Sequence, residues 1–209
     1  MINYKGNTID EKQSLISIIM ATYHGDCSDE LKEAVESILK QTYANFELIL
    51  TVDGPVPDER KLFLEEIQHS DGRIKLLWNE INRGPGAARN SAIKIANGEY
   101  ISIFDADDVA YPDKLEKQLN YLLQLSLDLV GSAYTEFDTD VNKPMETRTV
   151  PINPLEIKKK IGYFSPVANP TVIAKRFVFK ENFYNENFRV GEDYALWITL
   201  LKKGVKIGN

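Results

Sequence analysis

Three carboxylates fall within four residues at Asp105-Ala106-Asp107-Asp108, directly after the apolar run Tyr100-Ile101-Ser102-Ile103-Phe104. A short apolar run of this kind predicts a buried strand, so the acids stand where a strand leaves its sheet. Like charges packed this closely repel one another, and loss of water adds to the cost. A hard divalent cation, which takes oxygen ligands, would compensate them. An acidic, solvated turn is the alternative, because aspartate is common in turns. Two further acids adjoin at Gly191-Glu192-Asp193, and another precedes a turn glycine at Asp53-Gly54.

The first half of the chain alternates strand and helix signals. Leu15 to Met20 is a continuous apolar run, as in a parallel strand covered on both faces. Ser28-Asp29-Glu30 supplies an N-cap and an acidic first turn, and Leu31, Val35, Ile38 and Leu39 follow at helical spacing to about Gln41. Phe46 to Val52 predicts a second strand, stopped by Asp53-Gly54-Pro55, and Ile74 to Leu77 a third. Between them a helix opens near Pro57 and ends at Asp71-Gly72. Pro85 suits the first turn of the next helix, which has a small-residue face and closes at Asn97-Gly98. The fourth strand then delivers the acid cluster.

This βαβαβαβ order implies a doubly wound, mostly parallel sheet flanked by helices, in which ligands bind beyond the carboxyl ends of the strands. Four such ends carry Ala21-Thr22-Tyr23, Asp53-Gly54, Asn79 to Gly84, and Asp105 to Asp108. Polar residues therefore converge on one edge, which an unrelated acidic turn would not need.

The second half is less regular. A helix starts at Pro112-Asp113, a strand is expected over Leu127 to Val130, and Thr135 to Pro151 reads as a long polar loop. Pro154 to Ile161 predicts a short helix, Asn169 to Ile173 a strand, and Tyr194 to Lys203 a clear helix, with Leu196 and Trp197 in the core. One domain over 1–209 is expected, its halves 1–108 and 109–209 sharing one core.

Bulk properties exclude several classes. The 209 residues can bury a real core, and 43% hydrophobic with 27% charged residues is ordinary for a soluble globular protein. A net charge of −6, with no basic stripe, argues against a nucleic-acid partner. Cys27, the sole cysteine, rules out an internal disulfide or a thiolate cluster and suits a reducing compartment. Met1 to Ser14 lacks an apolar signal core, and no segment approaches bilayer length. The expectation is a cytoplasmic protein, attached at most to the inner face of the plasma membrane. Lys158-Lys159-Lys160, before Ile161-Gly162-Tyr163-Phe164, would either rest on an anionic membrane or form a solvated helix face.

Two enzyme patterns fit poorly. Gly84-Pro85-Gly86-Ala87-Ala88-Arg89 has an arginine where a dinucleotide fingerprint has its third glycine. Ile103 to Val109 matches the motif of haloacid-dehalogenase-like phosphohydrolases, and Ser132 could serve as their phosphate-binding hydroxyl. That motif normally follows the first strand, whereas three βα units precede it here.

A larger set of motifs occurs in one order. Ser17 to Tyr23, the Asp53-Gly54 turn, Arg89-Asn90, Asp105 to Asp108, and Gly191-Glu192-Asp193-Tyr194-Ala195-Leu196-Trp197 together resemble family 2 glycosyltransferases of the GT-A fold, most closely the bacterial enzymes of surface-polysaccharide synthesis. The resemblance runs from Leu15 to Val205 and implies a nucleotide-binding half over 1–108 and an acceptor half over 109–209. It implies an inverting, metal-dependent transfer of a sugar from a nucleoside-diphosphate sugar, UDP-linked, to a saccharide or lipid-linked saccharide. Asp107 would bind Mg²⁺ or Mn²⁺, and Asp105 would contact the donor ribose or the metal's water shell. Asp53 would accept a hydrogen bond from the base, with Thr22 and Tyr23 lining the same pocket. Arg83 or Arg89 would sit near the nucleotide or brace the acidic loop. Asp193 would be the catalytic base, with Glu192 orienting the acceptor. A non-catalytic nucleotide-sugar-binding domain is a further reading. The chain departs from the family at Val52-Asp53, where a pair of acids is common, and at Pro55, where a small hydroxyl residue is usual. Relatives usually continue past Asn209, which predicts a C-terminal truncation.

Overall fold

The computed structural model describes residues 14–138 and 140–209. All but the last residue of the polar segment Met1–Ser14 lies outside the described residues. Four strands form the frame: β1 (Ile16–Thr22), β2 (Phe46–Asp53), β3 (Ile74–Asn79) and β4 (Tyr100–Ile103). Each is followed by a helix, in turn α1 (Ser28–Leu39), α2 (Asp58–Ser70), α3 (Pro85–Ile95) and α4 (Lys114–Gln124). All four strands run parallel, and β1 lies between β2 and β4. The chain winds from β1 outward to β3, then returns to β4 on the other side of β1. That reversal opens a crevice at the carboxyl ends of β1 and β4.

The same sheet continues into the second half in the order β3-β2-β1-β4-β8-β5-β9. Here β5 is Leu129–Val130, β8 is Ile173–Lys175 and β9 is Ile207–Gly208, and β8 runs antiparallel to both β4 and β5. Consecutive residues of the inner strands feed opposite cores, which is why their sequence is continuously apolar. On one face Ile16, Ile18 and Met20 pack with Leu31, Val35, Leu115 and Leu119 of α1 and α4. On the other, Ile19 joins Ala92 and Ile93 of α3 with Leu196, Trp197 and Leu200 of α7 (Glu192–Lys202). Trp197 is fully buried, as expected for a core residue.

The departures from expectation have physical reasons. Thr135 to Pro151 is not all loop: β6 (Tyr134–Phe137) and β7 (Pro144–Arg148) pair as an antiparallel hairpin. Every residue of β7 is exposed, so no apolar alternation marks it. Asn169–Thr171 forms a 3₁₀ turn, and the strand expected there begins at Ile173. The five-residue α6 (Arg176–Lys180) and the two-residue β9 are too short to carry a periodic signal. Cys27, not Ser28, caps α1, and it makes no side-chain cap bond. The helix α5 (Pro154–Lys160) is capped by Asn153, whose side chain accepts from the Glu156 N–H.

At the amino ends of the strands a buried acid ties the frame together. Glu47 accepts from Ser17 Oγ at 2.6 Å, Lys75 Nζ at 2.7 Å and the Asn97 N–H at 2.8 Å, so β1, β2, β3 and the end of α3 share one carboxylate. Burial alone would raise its pKa, but these donors outweigh burial and hold it at about 2, against an ordinary 4.5. A depressed carboxylate stabilises the fold fully above its unfolded value and loses that contribution as pH falls through the folded value. Glu47→Gln is therefore expected to lower urea-unfolding stability by about 2–3 kcal/mol at pH 7. The gap to wild type should narrow as pH falls from 4.5 towards 2. An unchanged gap at low pH would refute the linkage.

Candidate functional site

The carboxyl ends of β1 to β4 surround a cleft of about 350 Å³, a volume usual for ligand sites. Thr22 and Tyr23 after β1, Asp53 at the end of β2, Asn82 and Gly84 before α3, and Asp105 and Asp107 after β4 all line it. Asp26 and Arg189 line it too, and sequence reasoning had singled out neither. Asp26 Oδ2 accepts from Thr22 Oγ1 at 2.9 Å and from the Tyr23 N–H at 3.0 Å, fixing the turn after β1.

Asp53 is buried, and its own chain occupies much of its carboxylate. Asn79 Nδ2 donates to Oδ1 at 3.0 Å, and the N–H groups of Arg83 and Gly84 donate to Oδ2 at 3.1 and 2.8 Å. A carboxylate offers about four lone-pair sites, so Asp53 shapes this wall as well as facing the cleft. The turn needs Gly84, whose φ is +92° and whose missing Cβ would lie 2.8 Å from Arg189 Nη1. Arg83 reaches Asp53 only through its backbone. Its guanidinium turns to Glu186 and does not line the cleft.

Arg89 connects the two acid motifs. It is buried on α3 beside Gly86, Ala87, Ala88 and Ala92, whose small side chains let the helix lie close to its neighbours. Nη2 donates to Asp105 Oδ1 at 2.7 Å and Nη1 to Glu192 Oε1 at 2.7 Å, while the guanidinium lies 5.6 Å from the centre of the Tyr184 ring. Burial alone would lower its pKa; Asp105, foremost among its partners, raises it instead and keeps it charged. The adjacent Asn90 clamps the backbone of Tyr184, donating Nδ2 to its carbonyl and accepting its N–H on Oδ1, both at 2.9 Å. Together these residues tie the segment before α7 to α3. Tyr184 is buried packing, whereas Tyr163, Phe164 and Phe183 are exposed.

The remaining acids have distinct surroundings. Gly191, with φ +75°, caps α7, so Asp193 is the second residue of the helix and not its cap. Asp193 is half-buried; loss of water raises its pKa, and the neighbouring Glu192 charge adds to this. Glu192 and Asp193 lie outside the cleft lining; Glu192 joins it through Arg89, and Asp193 follows Glu192 in the chain. Loss of water raises the pKa of Asp107 as well, and Asp105 repels it further. Asp108 does not line the cleft. Burial, then Asp105 and Asp107, push it up to about 7, and burial pushes Lys114 down to about 7. The Lys114 ammonium points to Ser102 Oγ at 3.4 Å and lies 5.6 Å from the centre of the Phe104 ring, and it too is absent from the cleft lining.

Asp107 forms no ion pair among the described residues and offers hard oxygen donors to the cleft, which suits Mg²⁺ or Mn²⁺. No cluster of three or more acid, His or Cys side chains among the described residues could hold an ion unaided. An ion here would complete its shell with water and ligand oxygens, as Mg²⁺ commonly does. Ser132 lies away from the cleft lining, its N–H held by Thr171 Oγ1 at 3.0 Å, and takes no part in a phosphate site beside Asp105.

Comparisons with known proteins show the family and the fold. The family model for glycosyl transferase family 2 matches residues 17–187. An uncharacterised glycosyltransferase of Methanocaldococcus jannaschii is 36% identical over 193 residues, covering 92% of this chain and 66% of that protein. The Escherichia coli protein WfgD, a UDP-Glc:α-D-GlcNAc-diphosphoundecaprenol β-1,3-glucosyltransferase, is 34% identical over 190 residues, covering 90% and 70%. The chain spans only 24–28% of matching rickettsial proteins. Among solved structures, Staphylococcus aureus TarS in complex with UDP superposes with TM-score 0.71 at 23% identity, covering 92% of this chain and 56% of that one. The mannosyltransferase PcManGT of Pyrobaculum calidifontis, solved with GDP-Man and Mn²⁺, gives 0.70 at 15% identity, covering 93% and 54%.

Removing Arg89 would leave a buried Glu192 and a partly buried Asp105 without their cation. Arg89→Ala is expected to destabilise the fold by about 3 kcal/mol in urea unfolding. Arg89→Lys should recover only part of this, because one ammonium cannot fork between two carboxylates. Full recovery by lysine would refute the bridging role.

Proposed function

The chain belongs to glycosyl transferase family 2, and we propose that it is an inverting, divalent-metal-dependent glycosyltransferase. On this reading it moves a sugar from a UDP-linked donor to a hydroxyl of a saccharide or lipid-linked saccharide, in the synthesis of a surface polysaccharide. The observation that carries it is the Arg89 bridge, which joins the acid loop at the crevice to the pair Glu192-Asp193. Asp105 and Glu192, the chain neighbours of the metal-holding Asp107 and the proton-accepting Asp193 of this reading, are thus joined by one side chain. The name of WfgD and the UDP complex of TarS support the donor and acceptor classes.

In this mechanism Thr22, Tyr23 and Asp53 receive the nucleoside. Asp105, with Oδ1 fixed by Arg89, turns its remaining acceptor capacity to the ribose or to the metal's water. Asp107 would hold Mg²⁺ or Mn²⁺, which when bound stabilises the negative charge growing on the leaving diphosphate; the Mn²⁺ complex of PcManGT supports the use of a divalent ion. Asp193 takes the proton of the acceptor hydroxyl, and Glu192 helps orient that acceptor. The acceptor oxygen bonds to the anomeric carbon from the face opposite the diphosphate while the sugar–phosphate bond breaks, which inverts that carbon. No enzyme-bound sugar forms.

A lipid-linked acceptor would be met at a membrane surface. Lys158, Lys159 and Lys160 are exposed, as are Leu155, Tyr163 and Phe164 near them in the chain, a basic and apolar segment in an acidic protein. The Tyr194 hydroxyl donates to the Ile161 carbonyl, linking that segment to the helix that carries Asp193. Among the described residues no helix is long and apolar enough to cross a bilayer, so this reading has peripheral contact with the inner face of the plasma membrane.

Calorimetry is expected to give UDP binding that strengthens with Mn²⁺, with no turnover of a generic phosphate ester. Ester turnover without metal-dependent UDP binding would overturn the reading in favour of a phosphohydrolase. Asp193→Asn should keep UDP binding and lose transfer, whereas Asp107→Asn should lose the Mn²⁺-dependent part of binding; equal loss of binding in both would mean the roles are wrongly assigned. Because the base must be ionised and its pKa is raised, kcat/KM should climb with pH through a value above 3.8.

A further inference from the structure

Two cations line the cleft among the described residues, Arg89 and Arg189. Arg89 is committed to Asp105 and Glu192. Arg189 pairs with no carboxylate among the described residues, and its hydrogen bond to Asn82 Oδ1 is long at 3.4 Å. The geometry points to Arg189 as the side chain that grips the diphosphate of the donor, an assignment that rests on the nucleotide-sugar reading above.

The position is built rather than incidental. Arg189 stands between two anchors: Glu186, held by Arg83 and by Asn90 Nδ2 at 3.1 Å, and Gly191, whose positive φ turns the chain into α7. Its guanidinium occupies the space that a side chain at position 84 would fill, with Nη1 2.8 Å and Cδ 3.3 Å from an ideal Cβ there. Asp26, Asp53, Asp105 and Asp107 otherwise make the cleft acidic. A diphosphate entering it needs positive charge, and a planar guanidinium supplies two parallel donors to phosphate oxygens. Arg189 also lies four residues before Asp193, so a bound diphosphate would steady the segment that leads to the base.

The test is binding of UDP and of uridine, each with Mn²⁺ present, to wild type, Arg189→Ala and Arg189→Lys, with thermal melts to verify folding. Arg189→Ala is expected to weaken UDP about tenfold to a hundredfold and to leave uridine within about twofold, with lysine restoring part of the loss. Unchanged UDP affinity in Arg189→Ala would overturn the assignment, and so would equal weakening of UDP and uridine, which marks a merely structural role. Wild type that binds neither UDP nor GDP would overturn the donor reading itself, and this assignment with it.

Discussion

The guanidinium of Arg89 reaches partners 16 and 103 residues away in the chain, and the acid loop at the cleft and the start of α7 are tied together through it. Asp105 lies where a parallel strand ends, among acids that repel one another. Glu192 is buried at the start of α7, where no other cation pairs with it among the described residues. Each would be costly alone. A buried ion pair adds little to stability when weighed against an apolar replacement, so its contribution here is better read as position than as net stability. A fork between two carboxylates fixes both direction and distance, which a lysine or an apolar contact would not.

The frame makes this bridge possible. Parallel strands bring their carboxyl ends to one edge, and the reversal at β1 and β4 leaves a gap there that α3 enters with its small residues first. The opposite edge shows the same physics put to another use. Glu47, on β2, gathers donors from the two flanking strands and a helix end and is held ionised well below its ordinary pKa. A buried acid is therefore no sign of a site by itself. What separates the two edges is that the acids at the crevice keep unused acceptor capacity, at Asp107 above all.

How much of this the residues disclosed follows from the range of the interactions. The four inner strands and their helices were legible because burial on both faces leaves continuous apolar runs, and their order alone brought Thr22, Tyr23, Asp53, Asp105 and Asp107 to one edge. The β6–β7 hairpin was not, since its strands are short and polar and bury little. Arg83 and Arg89 were equivalent as sequence; only packing shows one turned to Glu186 and the other inward to Asp105 and Glu192. Arg189 lies in a segment without periodicity, and no local pattern could assign it to a cleft made by residues a hundred positions earlier. Asp193 was recognised through its motif, and the cap of its helix is Gly191, a residue the sequence marks only by its glycine.

The bridge also bears on the acids it does not touch. Asp193 sits at a helix N-terminus, where the dipole favours the ionised form, yet loss of water and the Glu192 charge together raise its pKa. The Arg89 charge acts in the opposite direction on Asp193, and it does the same on Asp107 across the cleft. Without that cation, both groups would hold their protons more tightly, which on the proposed roles leaves Asp193 less ready to accept a proton and Asp107 less ready to bind a metal. With it, Asp193 stays basic for a carboxylate while remaining ionisable, and Asp107 presents charge to the cleft. One buried cation thus sets the distance between the two halves of the site and moderates the charge on each.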